Sequence, residues 1–261
     1  MQVTVLGKSP SWQDAAGACS GYLVQEGELK LVLDCGNGVF SKLRSVLDYR
    51  LIGEVLISHL HADHFLDLVP FSYALANAVR TDAPGNGAGV RARPSLRVPV
   101  GGHHVLRRIV GSWGSEHLID DAFQITEYEP DDVLTLGPLQ VRFREVPHFV
   151  RSHAVELATG GAGGHRFVFG ADCAPNDALV EFAREADVLM VEATLPAPEQ
   201  GPERGHMTPR EAGEHGAAAH ARRLVLTHYS DEMDPSWAAA EAADSYGGRV
   251  ELAYEGAVYD L

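Results

Sequence analysis

The chain has 261 residues, of which 45% are hydrophobic and 22% are charged. This apolar content is too high for a disordered chain, and the length is sufficient for a sizeable buried core. The formal net charge of -15 argues against a nonspecific nucleic-acid binder, which needs a basic face to displace phosphate counterions. A small local basic patch, or a site whose positive charge comes from a metal, stays compatible with this balance.

The first half of the chain alternates strands and helices. Short apolar or alternating runs predict strands at 3–6, 21–25, 29–33, 54–58 and 98–100, with helices at 40–47, 65–79 and 105–110. Residues 81–94 are rich in Gly, Ala, Pro and Arg and predict an irregular excursion.

The middle is rich in strands, and the second half alternates again. Strands are predicted at 123–128, 139–146, 154–158, 166–169, 188–191 and 224–227, helices at 178–186, 209–220 and 235–246, and closing strands within 250–259. Because helices must cover sheet faces, this order predicts an α/β chain of mixed sheets with helices outside. No composition break marks a linker, so we expect a single domain over residues 1–261.

The cysteines and the lack of a recognisable targeting signal indicate the cellular compartment that we expect for the protein. The three cysteines, Cys19, Cys35 and Cys173, are odd in number and form no CxxC pair, so neither a disulfide framework nor a cysteine-type zinc site is indicated. We expect a reducing, cytoplasmic environment. No secretory signal and no apolar stretch near the ~20 residues of a membrane span are recognisable, so no membrane partner is expected.

A histidine-rich string, His59-Leu60-His61-Ala62-Asp63-His64, directly follows the apolar strand at 54–58. His59 and His61 are two residues apart, so in an extended loop they point the same way and can share one ion. Asp63 and His64 follow on the turn into the next helix, where they can face a second ion. Imidazole and carboxylate are the ligands expected for zinc, manganese or iron.

Further ligands are expected at other strand ends, because a metal site draws side chains from several elements. His148 follows the strand at 139–146, Asp172 follows 166–169, and His228 follows 224–227. Asp34 also ends a strand, and we expect it to orient a histidine rather than to bind metal. His153 lies five residues after His148 but inside the next predicted strand, so His148 is preferred as the ligand.

These motifs resemble the metallo-β-lactamase-fold hydrolases, and within them the branch that includes tRNase Z and its small phosphodiesterase relatives. The resemblance covers almost the whole chain. Its motifs are Leu33-Asp34-Cys35-Gly36, the histidine string, His148 with Ser152, Gly170-Ala171-Asp172-Cys173-Ala174-Pro175, Glu192-Ala193-Thr194, His206-Met207-Thr208 and Thr227-His228-Tyr229-Ser230. The first two occur throughout the superfamily, whereas Glu-Ala-Thr followed by His-x-Thr is typical of the phosphodiesterase branch.

The resemblance implies a four-layer αβ/βα sandwich with the site at one edge. It assigns His59, His61 and His148 to one metal ion, and Asp63, His64 and His228 to a second. Asp172 would bridge the two ions, opposite a bridging hydroxide. Zinc is the first expectation for both ions, with manganese or iron as alternatives. A homodimer is also implied.

The resemblance further implies a catalytic set of Asp63, Glu192 and His206. His206 would contact the phosphate and protonate the leaving oxygen, while Glu192 orients it. Taken singly, Glu192 fits an ordinary strand-end acid, and His206 fits a solvated loop residue before the Thr208 helix cap. The occurrence of both favours the functional interpretation.

Three substrate classes are compatible with such a site, because fold and metals fix hydrolysis but not the substrate. They are a phosphodiesterase on small (cyclic) nucleotides, a tRNA 3′-end endonuclease, and a carbon-ester hydrolase of the lactonase, thioesterase or β-lactamase type. Ester- and lactam-cleaving relatives usually lack the Glu/His pair, so the first class is favoured over the third.

The tRNA endonuclease alternative meets a difficulty of length. Only 23 residues separate His148 from Asp172, and two short strands with the glycine-rich run 159–165 use them all. The tRNA-gripping arm, which the bacterial enzymes carry at this point, has no room. An arginine cluster fits ordinary surface better than a tRNA platform; its members are Arg80, Arg91, Arg93, Arg97, Arg107 and Arg108. We therefore predict a small phosphodiester substrate, with tRNA an unlikely partner.

Overall fold

Two mixed sheets organise the chain in a computed structural model that describes residues 1–77, 93–161, 163–201 and 203–261. The first sheet contains β1 Gln2–Gly7, β2 Gly21–Glu26, β3 Leu29–Leu33, β4 Glu54–Leu56, β5 Ser95–Pro99, β6 Gln124–Tyr128 and β14 Val258–Asp260. The second contains β7 Val133–Leu136, β8 Leu139–Val146, β9 Ser152–Thr159, β10 Arg166–Phe169, β11 Val188–Glu192, β12 Leu224–Thr227 and β13 Val250–Leu252.

Helices connect the parallel strands, as parallel pairing requires. They are α1 Val39–Val46, α2 Ala62–Phe65, α3 Leu68–Asn77, α4 Gly102–Gly111, α5 Leu118–Ala122, α6 Asp177–Phe182, α7 Pro209–Ala218 and α8 Pro235–Tyr246, with a 3-10 turn at Tyr49–Leu51. None of the helices in the described ranges is long and apolar enough to cross a membrane.

Both sheets show the same pattern of strand pairing. In the order β14-β1-β2-β3-β4-β5-β6, the first three pairs are antiparallel and the last three parallel. The order β7-β8-β9-β10-β11-β12-β13 repeats this sequence of pairings. The two halves therefore share a topology, although no sequence repeat is visible by eye.

Three apolar clusters give the chain its layers. The central cluster joins the facing sheets and includes Val5 and Leu33 from one sheet and Phe143 and Phe167 from the other. A second cluster packs the outer face of the first sheet under helices that include α1 and α3, and a third packs α6, α7 and α8 on the second sheet. The expected four-layer αβ/βα sandwich is confirmed.

Several predicted boundaries were wrong. The helix predicted over 65–79 corresponds to α3, which begins only at Leu68, and positions 78–79 lie outside the described residues. A separate short helix, α2, precedes it and carries Asp63 and His64, which face the site. Residues 78–92, which include most of the predicted irregular excursion, lie outside the described residues. The closing segment forms two strands, β13 and β14, that belong to different sheets.

Strand β7 and helix α5 are among the described elements that had no sequence prediction. Strand β7 is a partly exposed sheet edge of only four residues, and α5 has only five residues, so both are too short to show a period in the sequence. The strand predicted at 98–100 begins earlier, at Ser95, because that segment pairs with β4 and β6.

Candidate metal centre

The predicted ligands meet at one edge of the sandwich, beyond the carboxyl ends of strands from both sheets. The loop after β4 carries the histidine string, and Asp172 and His228 follow β10 and β12. An isolated antiparallel bridge between His59 and Ser152 joins the two sheets at this edge. The location matches the general preference of α/β sheets for sites outside the carboxyl ends of parallel strands.

Left-handed backbone turns place side chains at this edge. Asp34, Ala171 and His228 have φ values of 57°, 53° and 53°, a region that non-glycine residues rarely adopt. Each lies within two residues of a strand end, after β3, β10 and β12 respectively. Such conformations cost free energy and persist where the surrounding structure imposes them, which is common at functional sites.

A first cluster contains His59, His61, His148 and Asp172. Their ligand-type atoms all lie within 4.8 Å of one another. His61 Nδ1 is 2.9 Å from His148 Nε2, and His59 Nε2 is 3.8 Å from Asp172 Oδ2. The structure therefore brings together the set expected for the first ion.

A second cluster contains Asp63, His64, Asp172 and His228, again with ligand-type atoms within 4.8 Å of one another. Asp172 Oδ2 lies 3.3 Å from both His64 Nε2 and His228 Nε2. His228 Nε2 is also 3.2 Å from Asp63 Oδ2. Asp172 belongs to both clusters, as the resemblance implies for a bridging ligand.

Three of the ligand-type atoms in the two clusters lack a hydrogen-bond partner in the protein. His59 Nε2, His64 Nε2 and Asp172 Oδ2 are buried and have no hydrogen-bond partner. Leaving a buried polar atom unsatisfied costs about 1–3 kcal/mol, so three in one place indicate an additional partner. Imidazole nitrogens grouped around carboxylates form the donor set of divalent transition-metal ions. The residues therefore fit two divalent cations.

Asp34 orients two of the histidines. His64 Nδ1 lies 2.7 Å from Asp34 Oδ2, and the same carboxylate accepts hydrogen bonds from Ser58 N and Ser58 Oγ. His59 Nδ1 lies 3.1 Å from Ser58 Oγ. Because Ser58 donates to Asp34, His59 donates to Ser58, and the Nε2 atoms of both histidines are left for the cluster.

Two further histidines are oriented by different partners. His148 Nδ1 donates to the Gly205 carbonyl at 2.7 Å. His228 Nδ1 lies 2.8 Å from Thr194 Oγ1, whose proton goes to Glu192 Oε2 at 2.5 Å. His228 therefore donates to Thr194, and its Nε2 faces the second cluster.

The protonation states suit metal binding. Burial lowers the pKa of His59 well below its usual range, lowers the pKa of His61, and lowers the pKa of His148 to about 4, so these histidines are neutral at neutral pH. Burial alone would raise the pKa of Asp63 and Asp172, but neighbouring His64 and His228 outweigh it and lower both. Metal ligands must be deprotonated, and these five are. His64 differs: burial lowers its pKa, but charge and hydrogen bonds from Asp172 and Asp34 outweigh burial and raise the pKa well above its usual range, so a metal ion would displace a proton from this ring.

Glu192 and His206 form a direct pair beside the clusters. His206 Nδ1 lies 3.0 Å from Glu192 Oε1 and 4.0 Å from Asp172 Oδ2. The Glu192 side chain is buried, whereas 18% of the His206 side chain is exposed. Burial lowers the pKa of His206, but hydrogen bonding and charge from Glu192, with Asp172, outweigh it and raise the pKa to about 9.

Some residues at the site had no role in the sequence prediction. Thr194 belongs to a recognised motif, yet its link between Glu192 and His228 depends on folding. Glu199 accepts hydrogen bonds from the Gly205 and His206 amides, and no sequence signal indicates it. Phe149 follows His148 directly and packs against His206.

His153 lies outside the two clusters. It is buried within β9, and its Nδ1 is 3.2 Å from the Ser58 carbonyl oxygen. The structure therefore brings His148, rather than His153, to the first cluster.

The predicted arginine cluster is only partly described, since positions 80 and 91 lie outside the described residues. Arg97 pairs with Glu54, and Arg107 pairs with Asp120, whose carbonyl accepts a hydrogen bond from Arg93. These three side chains therefore bind other parts of the same chain.

Comparison with known proteins agrees with this geometry. A family model described as "Beta-lactamase superfamily domain" matches residues 29–229. A Bacillus subtilis protein named "Probable metallo-hydrolase YhfI" is 31% identical over the full length of both chains. The crystal structure of YhfI superimposes with a TM-score of 0.85 and 28% identity, covering 99% of this chain and 98% of that one.

A ribonuclease Z from Myxococcus xanthus is 29% identical, with 100% of this chain and 98% of the relative covered. The crystal structure of the short form of human tRNase Z matches in fold, with a TM-score of 0.75 at 22% identity and coverage of 100% and 99%. With the two His/Asp clusters, these matches show that the chain belongs to the beta-lactamase superfamily domain family and is a metallo-hydrolase of that family.

Proposed function

We propose that this chain is a dinuclear-metal phosphodiesterase that hydrolyses small nucleotides, such as cyclic nucleotides. The observation that carries the proposal is the Glu192–His206 pair beside two clusters that share Asp172. The pair supplies a proton donor next to the place where a phosphate would be held. Phosphodiester hydrolysis needs such a donor, because the departing alkoxide is strongly basic.

The two clusters support an assignment of the metal ligands. His59, His61 and His148 would hold one ion, Asp63, His64 and His228 the other, and Asp172 both. Two divalent ions, zinc first and manganese or iron as alternatives, would lower the pKa of a water between them and offset phosphoryl charge. Asp63 and Asp172 contribute the negative charge that favours cations at this place.

His206 acts through the nitrogen that Glu192 does not use. Its Nδ1 is held by Glu192, so Nε2 is the atom available to a substrate. With a pKa of about 9, the ring is protonated at neutral pH and can donate a hydrogen bond to a phosphoryl oxygen. The same proton can pass to the leaving oxygen, after which Glu192 stabilises the ring orientation for reprotonation.

Chain length and charge favour a small substrate over tRNA. Residues 160–165 form the short connection between β9 and β10, with position 162 outside the described residues, so this segment holds no arm. The alignment with the Myxococcus ribonuclease Z spans 300 positions, whereas this chain has 261 residues. At least 39 residues of that enzyme therefore have no counterpart here. A net charge of -15 also opposes the many phosphate contacts that tRNA binding needs.

Cleavage of a tRNA 3′ end is the second candidate. It is favoured by the ribonuclease Z relative, which matches the whole chain at 29% identity. A carbon-ester substrate is a weaker alternative, since the resemblance implies that ester- and lactam-cleaving relatives usually lack a pair such as Glu192–His206. The three cysteines are buried and free, which fits our proposal of a reducing, cytoplasmic location.

The substitution His206→Ala tests the proposal. We expect the kcat for 3′,5′-cyclic AMP to fall by about 10²–10⁴-fold, the usual contribution of a positioned acid, while metal content stays near two per chain. The kcat for bis-p-nitrophenyl phosphate should fall less, because p-nitrophenolate is a weak base and leaves without protonation. His165→Ala, in the exposed β9–β10 connection, is the matched control and should leave turnover unchanged. Turnover of 3′,5′-cyclic AMP that survives His206→Ala would contradict the proposed role.

A substrate panel separates the candidates. It compares these phosphodiesters with precursor tRNA, a homoserine lactone and a thioester. Preference for precursor tRNA would favour the endonuclease. Preference for the lactone or thioester would reject phosphodiester hydrolysis.

A further inference from the structure

Phe149 is an exposed aromatic side chain at the mouth of the metal centre. It directly follows His148, and 52% of its surface is accessible. Its ring centroid lies 5.2 Å from that of His148 and 6.0 Å from that of His206. A single exposed phenylalanine is ordinary, but this one touches both a candidate metal ligand and the candidate proton donor.

The ring is held in place by Gly205. A Cβ atom on Gly205 would lie 2.2 Å from Phe149 Cε2 and 2.6 Å from two further ring carbons, so only glycine lets the backbone and the ring approach this closely. Gly205 is not among the residues with positive φ, so its role is this close approach. The side of the ring that carries Cδ2, Cε2 and Cζ therefore lies against the backbone, and about half of the residue stays exposed.

The segments on both sides of this contact are fixed. The Gly205 amide donates to Glu199 Oε2 at 2.6 Å, and the Gly205 carbonyl accepts from His148 Nδ1 at 2.7 Å. The Ala174 amide donates to the Pro147 carbonyl at 2.8 Å. Phe149 is therefore a preorganised surface, and little ordering is needed for a planar group to bind on it.

We propose that Phe149 is a stacking platform for the base of a nucleotide substrate, and that the centre therefore prefers phosphodiesters that carry a nucleobase. This inference rests on the proposed function. A phosphate beside His206 would direct one substituent past the neighbouring Phe149 ring. Stacking of a base on an aromatic side chain strengthens binding by about 5- to 150-fold and tolerates any base, because every base has a π face.

Binding of AMP and ribose 5-phosphate to the metal-loaded protein tests the platform, because the two ligands differ only in the base. The wild type should bind AMP at least about fivefold more tightly. Phe149→Leu keeps an apolar cover over Gly205 but removes the π face, so it should abolish most of this preference and leave ribose 5-phosphate binding unchanged. Phe149→Tyr should retain the preference.

A fluorescent variant supplies a direct readout. In Phe149→Trp, AMP should quench the added indole emission, whereas ribose 5-phosphate should not. Tyr254→Leu is the control, since Tyr254 is an exposed aromatic residue in the turn between β13 and β14. It should change neither binding nor the KM for 3′,5′-cyclic AMP, while Phe149→Leu should raise that KM with little change in kcat.

Contrary outcomes are distinct from failure of the proposed function. If Phe149→Leu lowered the affinity for AMP and for ribose 5-phosphate equally, the ring would only support His148 and His206. That result would contradict the proposed stacking role. Equal wild-type affinity for the two ligands would overturn it even if bis-p-nitrophenyl phosphate is hydrolysed. Absence of phosphodiester hydrolysis by the wild type would instead contradict the proposed function, whatever the binding preference.

Discussion

Glu192, at the end of β11, receives hydrogen bonds from three parts of the site. The Cys173 amide donates to it at 2.8 Å and the Met207 amide at 3.1 Å. Thr194 and His206 donate to the same carboxylate. One carboxylate therefore holds the Asp172 loop, the His206 loop and, through Thr194, the ring of His228, which is a wider role than orientation of His206 alone.

The orienting role of Asp34 can be tested by a single substitution. Asp34→Asn keeps the size and tolerates the left-handed backbone, but it removes the charge that faces His64 Nδ1. Loss of such a partner typically weakens metal affinity by about 10–100-fold. We expect this loss for the ion that His64 would hold, measured by chelator competition with metal analysis of the dialysed protein.

The matched control for Asp34 is Asp120→Asn. Asp120 pairs with His103 on the outer helices, and its substitution should leave metal affinity unchanged. Unchanged affinity in Asp34→Asn itself would contradict the orienting role.

His153 predicts a pH effect on stability. Burial lowers the pKa of His153, so the folded protein keeps it neutral, whereas the unfolded chain takes up a proton below about pH 6.5. The contribution of His153 to the free energy of unfolding is therefore present above about pH 6.5. It is lost as the pH falls towards the pKa of His153 in the folded protein, which is the lower of the two. His153→Asn keeps a donor for the Ser58 carbonyl without titrating.

Urea unfolding at pH 7.5 and 5.5 measures this effect. The free energy of unfolding should fall less between these pH values in His153→Asn than in the wild type. Other buried histidines contribute equally to both proteins, so the difference isolates His153. An identical fall in both would refute the assignment.

Helices α7 and α8 approach so closely that a glycine is required between them. A Cβ on Gly213 would lie 2.1 Å from Ser245 Oγ and 2.3 Å from the Ala242 carbonyl oxygen. Helix propensity alone favours alanine over glycine by about 1 kcal/mol. Because overpacking typically costs about 1–3 kcal/mol, we expect Gly213→Ala to lower the free energy of unfolding.

Gly111→Ala is the matched control for Gly213→Ala. Gly111 ends α4, and a Cβ there would first meet the Glu116 side chain, at 3.0 Å, which can move. Denaturant unfolding should find this variant as stable as the wild type or slightly more so. A Gly213→Ala variant with an unchanged free energy of unfolding would contradict the prediction, because α7 and α8 could then move apart without loss of stability.

At the scale of the whole molecule, the two halves of the chain build one site. His59, His61, Asp63 and His64 follow a strand of the first sheet, whereas His148, Asp172 and His228 follow strands of the second. The sheets are joined by their common apolar cluster and by the His59–Ser152 bridge. Metal binding should therefore stabilise the packing of one sheet on the other.

Removal of metal tests this coupling. Zinc or manganese at 100 times its Kd should add about 2.7 kcal/mol per site to the free energy of unfolding, and should raise the Tm by about 5–10 °C for each site that is filled. Calorimetry of chelator-treated protein, before and after metal is restored, measures the shift. Magnesium is the comparison ion, since its preference for oxygen ligands predicts a much smaller effect. An equal Tm with and without zinc or manganese would contradict the ligand assignment.

The net charge of the whole molecule bears on the size of the substrate. Two divalent ions would place about four positive charges beside Asp63 and Asp172, so the chain's charge of -15 does not oppose a small phosphate substrate. The remaining acidic surface still repels a long polyanion.

The sequence by itself determined the type of site and much of the fold. The histidine string after β4, and single acids or histidines after β8, β10 and β12, were readable because strand periodicity and ligand chemistry are local properties. The same local rules failed at α5 and β7, where the segment is too short or too exposed to carry a period.

Only the tertiary structure decided which side chains meet. His148 and Gly205 are 57 positions apart, and no local pattern predicts that the carbonyl of one fixes the ring of the other. Phe149 and Glu199 gain their places through the same loop contacts. Such contacts follow from the strand order of the second sheet, which brings the loops after β8 and β11 to the same edge, and that order depends on pairing between residues far apart in the chain.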